Sequence, residues 1–443
     1  MLRGARRSDV VIVGGGLTGV TCAAMLMRSG LQVTLLEAHT LGSGATRACT
    51  GKLTSQLGNV FKRCESAAGP ETAMVLCRLA QLSVRGVRAL IARRGAACHL
   101  TSQDVRVFAQ TPQEVTLLDA LAKLERRLGL PVTLTEDGGD CPIPVEKTLL
   151  LRDQALMDPM AYVSGLAEAA EKAGASVYEH SPVTGVSGTR AVTPEGHVDA
   201  SVVVLCTGAP IGCKAMTLLP LMEQRVCQSR LMTGGAPFHD SHLSVSDQGL
   251  TMRPMPQGML VAQDIGRAGD AGHDKRIQDF SRTVRGLLGD WREEDACIRQ
   301  DVWSADGLPL IGAMDPKDGR VLMATGYSGW GLVGSYMAAR LLTRQIIGRP
   351  LTEASLFLPF RRYPGKAAVL IQGSLRPGAA ALGGLFRPFS PVCPHMGCRL
   401  RYNPDTRRWE CPCHGSGFST LGEVLAGPAM DSAYISRRQY PYE

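Results

Sequence analysis

The chain begins with a short apolar run, Asp9 to Val13, then six residues rich in glycine, Gly14-Gly15-Gly16-Leu17-Thr18-Gly19. A helical stretch from Val20 to Arg28 and a second apolar run from Gln32 to Glu37 follow. Short continuous apolar runs bounded by glycine predict buried strands, and the amphipathic piece between them predicts the crossover helix of a βαβ unit. A parallel sheet is therefore expected at the N-terminus.

Helical periodicity recurs over Glu71 to Arg94. Thr111-Pro112-Gln113-Glu114 has the form of a capping box with proline at the first helical position. Asp104 to Ala109 reads as a strand, and Asp158 caps a helix that runs to about Gly174. Strand character returns at Ser176 to Glu179 and at Ser201 to Cys206, so the α/β pattern resumes after an insertion. Alternation from Leu250 to Gln263 predicts antiparallel strands, Lys275 to Leu288 a helix, and Arg320 to Arg344 a strand, a glycine turn and a helix. Residues 362–390 are Gly, Pro and small residues around one short strand candidate, Ala367 to Gln372, and read as a linker.

Composition narrows the class. The 443 residues are 44% hydrophobic and 20% charged, enough for more than one folded core and inconsistent with a disordered chain. No run approaches the roughly 18 apolar residues of a membrane-spanning helix. Met1 to Asp9 has no apolar leader, so the expected location is the cytoplasm. The net charge of +8 is modest for this length, and nucleic acid is not an expected partner. Of the 14 cysteines, Cys393, Cys398, Cys411 and Cys413 crowd into one short stretch while the rest are scattered through apolar or helical sequence. Such clustering signals chemistry and not packing.

The first glycine run satisfies G-x-G-x-x-G between a strand and a helix, which is the arrangement a dinucleotide requires. Gly14 permits the tight turn, Gly16 lets the backbone approach a pyrophosphate, and Gly19 packs helix against strand. Leu17 and Thr18 lie at the helix N-terminus, whose N–H groups and dipole favour an anion. Glu37, 18 residues after Gly19, ends the next strand where ribose hydroxyls would be bound. No second such fingerprint follows a strand, which argues against a nicotinamide site.

Further segments carry a family resemblance. Leu41-Gly42-Ser43-Gly44-Ala45-Thr46-Arg47 and Gly51-Lys52-Leu53-Thr54-Ser55-Gln56 resemble the loop lining pyrophosphate and flavin in D-amino-acid-oxidase-like flavoproteins. Val203 to Gly208 resembles their later strand ending in Thr-Gly. Val321 to Leu332, preceded by Trp303 to Gly312, is similar to their C-terminal flavin motif. The resemblance implies a Rossmann-type FAD-binding domain of the glutathione-reductase-like kind with an inserted α+β substrate domain, over residues 1–360. FAD-binding segments are expected at about 8–65, 150–210 and 300–350, and substrate-binding segments at about 66–149 and 211–299. It implies FAD contacts at Ala45, Thr46, Lys52, Leu53, Thr54, Val183, Thr207, Gly208, Gly326, Gly329, Trp330, Gly331 and Leu332. Gly329 and Gly331 would aim N–H groups at the flavin pyrimidine. Residue 57 is Leu, with no side chain for a covalent link, so the flavin is expected to bind noncovalently. Arg253, as a clamp for a substrate carboxylate, and Tyr327, facing the flavin, are the catalytic candidates.

The cysteine cluster forms two hexapeptides, Cys393-Pro394-His395-Met396-Gly397-Cys398 and Cys411-Pro412-Cys413-His414-Gly415-Ser416. Two Cys and two His from two loops suit zinc or a Rieske [2Fe–2S] centre, and the two extra cysteines have no role in a zinc site. The pair of hexapeptides resembles a Rieske domain, here at about 391–443 and short of its usual supporting strands. The resemblance implies Cys393 and Cys411 on one iron and His395 and His414 on the other. It also implies a Cys398–Cys413 disulfide and a hydrogen bond from Ser416 to cluster sulfur. Phe418 stands where high-potential members carry Tyr, which predicts a lower potential.

Together the parts resemble bacterial fusions of an FAD enzyme with a Rieske domain. That implies a dehydrogenase acting on a C–N bond of an amine or amino acid, with electrons leaving singly to a carrier such as ferredoxin or flavodoxin. Arg399, Arg401, Arg407 and Arg408 offer such an acidic carrier a basic face. The alternative is a redox relay without a small-molecule substrate. A Rieske oxygenase would need a second iron site, and the seven histidines outside the hexapeptides are dispersed.

Overall fold

A computed structural model describes residues 1–212, 220–232, 234–267, 273–289, 292–362, 391–395, 397–404, 407–413 and 415–435. The predicted linker with its strand Ala367 to Gln372, and the predicted ligand His414, lie outside the described residues.

The predicted opening unit is β1 (Gly4–Val13), α1 (Leu17–Leu26) and β2 (Val33–Leu36). β1 starts earlier than its apolar run because Gly4 to Ser8 pairs with Gly196 to Ala200, so backbone pairing continues where the side chains are polar. The chain then passes through β3 (Lys52–Leu53), α2 (Val60–Ala68), α3 (Pro70–Arg94), β4 (Thr101–Ala109), α4 (Pro112–Arg127), β5 (Val132–Thr135) and β6 (Lys147–Leu156). It returns through α5 (Pro159–Lys172), β7 (Ser176–Tyr178), β8 (Gly185–Ser187), β9 (Arg190–Thr193) and β10 (Gly196–Leu205). The helix caps are those the sequence predicts. Thr111 Oγ1 accepts from the Glu114 N–H at 3.3 Å, and Asp158 Oδ1 accepts from Met160 and Ala161 N–H at 2.8 and 3.1 Å. Each such cap is worth about 1 kcal/mol.

A second excursion comprises β11 (Leu221–Met232), β12 (Ser241–Ser244), β13 (Leu250–Met255), β14 (Gly258–Arg267), α6 (His273–Leu288) and β15 (Arg292–Ser304). β16 (Leu310–Asp315), β17 (Asp318–Thr325) and α7 (Gly331–Ile346) close the larger part. Near the C-terminus β18 (Arg401–Asn403), β19 (Arg408–Glu410), β20 (Gly417–Phe418) and β21 (Val424–Ala426) form a small antiparallel sheet.

The first sheet has the order β16-β17-β10-β1-β2-β7, and β17, β10, β1, β2 and β7 run parallel. Its strands are buried on both faces. Along β1, Val10 and Ile12 enter one apolar core while Val11 and Val13 enter another, which is why the run is continuous and not alternating. The second sheet has the order β15-β11-β14-β13-β12-β4-β6-β3. It takes in β3, the whole of β6 and the whole of β15, so the chain changes layers near residues 157 and 304. An Arg361–Asp306 ion pair, with side chains 5% and 0% exposed, ties the end of the larger part to the loop before β16. Breaking such a buried pair costs about 3–5 kcal/mol. Among the described residues no helix is long and apolar enough to cross a membrane.

Candidate flavin, substrate and cluster sites

Parallel registry aligns the carboxyl ends of three strands: Val13 pairs with Leu205 and Leu36, and Leu205 with Met323. The segments that follow these ends meet at one edge, the usual position for a ligand in such sheets. Gly14 has φ 107°, and a Cβ there would lie 2.5 Å from the Cys206 carbonyl oxygen. A Cβ at Gly19 would collide with the Gly14 carbonyl. At Gly16 it would point toward Thr46 Oγ1, 3.1 Å away. The N-terminus of α1 has no side-chain cap; Leu17 N–H donates to Thr46 Oγ1 at 3.2 Å. This cradle of backbone N–H groups, kept open by Gly16, fits a pyrophosphate.

The other predicted contacts lie in β3, and in the segments that follow β2, β3, β7, β10 and β17. Glu37 accepts from Gly15 N–H at 2.7 Å and from His39 N–H at 2.9 Å, so its carboxylate is held at the turn. Val183 is half-buried, two residues past Ser181, whose N–H donates to the Glu37 carbonyl at 2.8 Å. Thr207 Oγ1 donates to the Ala209 carbonyl at 2.7 Å, and the Gly208 carbonyl accepts from the Thr325 hydroxyl. Gly326 and Gly329 have φ 78° and 89°, where a side chain would be strained. Trp330 is the N-cap of α7, Gly331 its first residue, and Leu332 is buried. Ala45 is exposed beside Thr46, whereas Lys52, Leu53 and Thr54 are buried.

Between the sheets lies a cavity of about 170 Å³ lined by Gly329 to Val333 on one side and by Lys52, Gln56, Arg63, Thr251, Arg299, Asp301 and Trp303 on the others. Lys52 Nζ donates to Thr251 Oγ1. Burial, with the charges of Arg299 and Arg253 nearby, pushes the Lys52 ammonium down to about 7. Burial pushes Asp301 up, against the charge of Arg299 and hydrogen bonds from Trp303 Nε1 and the Gly329 N–H. Arg63 stacks over Trp303 at 4.5 Å from the ring centre. Behind the wall, Gln56 Nε2 donates at 2.8 Å to Glu125, which burial raises to about 8.

The two catalytic candidates stand elsewhere. Tyr327 OH is 3.0 Å from Thr18 Oγ1, which is 2.8 Å from Ser335 Oγ, so this chain of hydroxyls joins the glycine-turn helix to α7. Arg253 does not line the cavity; Nη1 donates to its neighbour's carbonyl, Pro254 O, at 3.3 Å, while its charge reaches Lys52. The ionic wall of Arg299 and Asp301 was missed by sequence reasoning. Its only sequence signal was Trp303 at the head of the C-terminal flavin motif.

The two cysteine hexapeptides share one backbone form. In the first, Gly397 N–H donates to Cys393 O and Cys393 N–H to Cys398 O, each at 2.8 Å. In the second, Gly415 N–H donates to Cys411 O at 2.9 Å and Cys411 N–H to Ser416 O at 2.8 Å. The fifth-position glycines have φ 72° and 71°. Each loop thus presents its first cysteine from an equivalent turn, with Cys393 and Cys411 both 1% exposed. Cys398 and Cys413 form a disulfide with Cα atoms 6.6 Å apart. The sulfurs of Cys398, Cys411 and Cys413 lie within 4.8 Å of one another, and the disulfide occupies two of these three. Burial lowers the His395 imidazole, favouring the neutral form that binds metal. Ser416 is fully buried and its Oγ accepts from Ala429 N–H at 3.0 Å. Buried thiols beside a half-buried imidazole are chemistry that fits an iron–sulfur cluster.

A glycine-turn dinucleotide cradle on a parallel sheet, a cavity walled by the glycine turn after β17, and paired cysteine–histidine loops define a flavoprotein oxidoreductase with an iron–sulfur module. The family described as FAD dependent oxidoreductase matches residues 9–345, and the Rieske [2Fe-2S] domain matches residues 360–441. The chain belongs to the D-amino-acid-oxidase-like FAD-dependent oxidoreductases and carries a C-terminal Rieske domain; its cofactors are FAD and a [2Fe–2S] cluster.

It is 25% identical to the putative Rieske 2Fe-2S iron-sulfur protein YhfW of Bacillus subtilis, over 95% of this chain and 92% of that one. Identity with gamma-glutamylputrescine oxidoreductase of Escherichia coli is 26%, over 81% and 88% of the two chains. The solved glycine oxidase of Geobacillus kaustophilus superposes with a TM-score of 0.67 at 21% identity, over 81% of this chain and 99% of that one. The expected fold class therefore holds, and the protein is related to amine and amino-acid oxidases.

Proposed function

We propose that the protein is a dehydrogenase that oxidises a C–N bond of an amine or amino acid in the cavity beside Gly329. Electrons would leave through the Rieske centre to a one-electron carrier such as ferredoxin or flavodoxin in the cytoplasm. The carrying observation is the cavity itself: the flavin turn, Gly329 to Leu332, forms one wall, and buried Lys52 with half-buried Arg299 and Asp301 form the other. The names of two relatives, an oxidoreductase of gamma-glutamylputrescine and an oxidase of glycine, support the nitrogenous substrate class.

Bound noncovalently in the cradle, FAD supplies acceptance of a hydride from carbon next to nitrogen, and the cluster limits outflow to single electrons. Glu37, Thr46 and the N-terminus of α1 would hold the dinucleotide, and Cys393, His395, Cys411 and His414 would hold the cluster. Lys52 does the proton work: with a pKa of about 7 it holds a free amine in much of the population at neutral pH and takes the proton from a substrate ammonium. Arg299 and Asp301 present opposite charges to a zwitterion. Arg399, Arg401, Arg407 and Arg408 suit an acidic carrier.

The test is anaerobic mixing of the purified protein with a panel of amines, N-methyl amino acids and D-amino acids, followed by flavin absorbance. Bleaching by one class supports the proposal and names the substrate class. If none bleaches the flavin while reduced ferredoxin fills both centres, the protein is a redox relay.

A further inference from the structure

β15 has two working faces. Successive residues of a strand point to opposite sides, and Arg299, Asp301 and Trp303 line the cavity. Gln300, between Arg299 and Asp301, points the other way and donates from Nε2 to the Gly415 carbonyl of the second cluster loop at 3.4 Å. Gln300 pairs across the sheet with Arg225 of β11, which therefore shares its face. Arg225 Nη2 meets the Glu410 carboxylate at 2.9 Å, with side chains 11% and 4% exposed. Glu410 immediately precedes the predicted ligand Cys411. Glu223, two residues before Arg225, stands so close to Gly415 that a Cβ there would overlap its carboxylate. On the cavity side, the Asp301 carboxylate lies against the flavin turn, where a Cβ at Gly329 would be 3.6 Å from its Oδ2, and Ser328 N–H donates to the Val302 carbonyl at 3.2 Å.

Three consecutive residues, Gln300, Asp301 and Val302, thus touch the cluster loop and the flavin turn from opposite faces of one strand. We propose that this segment is the junction between the two redox sites, and that the buried Arg225–Glu410 pair is the latch that seats the cluster loop on it. One strand then separates the cluster loop from the flavin turn. With both groups bound, electrons would pass across it one at a time, each oxidising the flavin by one electron and reducing the cluster by one, and an external carrier would re-oxidise the cluster. Arg225 and Gln300 are positioning residues here; they bind neither cofactor. The glycine at position 415 serves both its left-handed turn, at φ 71°, and the close approach to Glu223.

The proposal rests on the preceding reading only in that the two centres exchange electrons, and its test needs no substrate. The holoprotein is reduced by illumination with EDTA, and cluster reduction is followed by its absorbance and EPR signal. In parallel, hydrogen exchange is measured over residues 221–232 and 411–418. Arg225→Glu is expected to slow cluster reduction at least tenfold and to raise exchange in both segments. The charge-reversed double variant, Arg225→Glu with Glu410→Arg, is expected to recover both, which lost folding alone would not allow. Gln300→Ala serves as the milder variant, with a smaller loss in the same direction. Unchanged transfer and exchange in Arg225→Glu, with both cofactors retained, overturns the proposal; so does undocking that leaves the transfer rate intact. Failure of every amine to bleach the flavin would instead count against the substrate reading and leave this result standing.

Discussion

The flavin cradle and the cluster site are built on opposite plans. The cradle draws Gly14 to Gly19, Thr46, Thr207 and Gly329 from across more than 300 residues, and it exists because a parallel sheet aligns strand ends. The cluster loops lie within 24 residues, closed by four local backbone hydrogen bonds and a disulfide, on strands only two or three residues long. One site is an outcome of a large core; the other has little core and depends on covalent and metal ties. The difference predicts that the two will fail separately and for different reasons.

The largest effect is expected at a cluster ligand. Cys411→Ser should abolish the cluster signal and unfold the C-terminal sheet, seen as loss of visible absorbance and EPR together with proteolysis near residue 400. FAD content should stay near one per chain. Loss of FAD in the same variant would break the contrast.

Gly19→Val is the reciprocal change. Its side chain meets the Gly14 carbonyl, so FAD binding should fall by more than tenfold while the cluster EPR signal persists. Retained FAD would mean that the helix can move off the strand.

Third comes the disulfide. It closes a 15-residue separation, for which the chain-entropy model gives about 3 kcal/mol. Cys398→Ala with Cys413→Ala should lower the stability of the C-terminal domain by about that amount, read as earlier cluster loss in a denaturant titration. The flavin transition should not move.

A pH-dependent effect belongs to the cavity. The folded pKa of Lys52, about 7, lies below its ordinary 10.5, so the unfolded chain binds the extra proton between those values. Relative to Lys52→Met, the wild type should therefore gain stability as pH rises from about 7 to about 10, and the gain should level off above that. Denaturant titrations of both proteins across this range provide the check; parallel curves would mean that the amine is well solvated.

What the sequence made legible follows the same division. The glycine turn, the Thr111 and Asp158 caps and the two hexapeptides are local devices, and local spacing reveals them. The common backbone of the hexapeptides was hidden because histidine stands third in one and fourth in the other, although proline stands second and glycine fifth in both. The ionic wall was not legible for a different reason. In β15, from Arg292 to Ser304, charged Arg299 and Asp301 line a cavity and Gln300 interrupts the apolar face of Ile298 and Val302 to meet the cluster domain, so no clean apolar alternation marks it. The motif marks Tyr327 but not its partner, the Thr18 hydroxyl, more than 300 residues away. Only the packing of α7 on α1 brings them together.

The most direct test of the central claim, that one chain couples amine oxidation to a cluster across β15, is rapid anaerobic mixing with a substrate found in the panel, monitored at flavin and cluster wavelengths together. The account predicts that the flavin bleaches first and the mixed His/Cys cluster signal then grows at a rate independent of protein concentration. A cluster that stays oxidised beside a reduced flavin, or fills only in proportion to protein concentration, would contradict it.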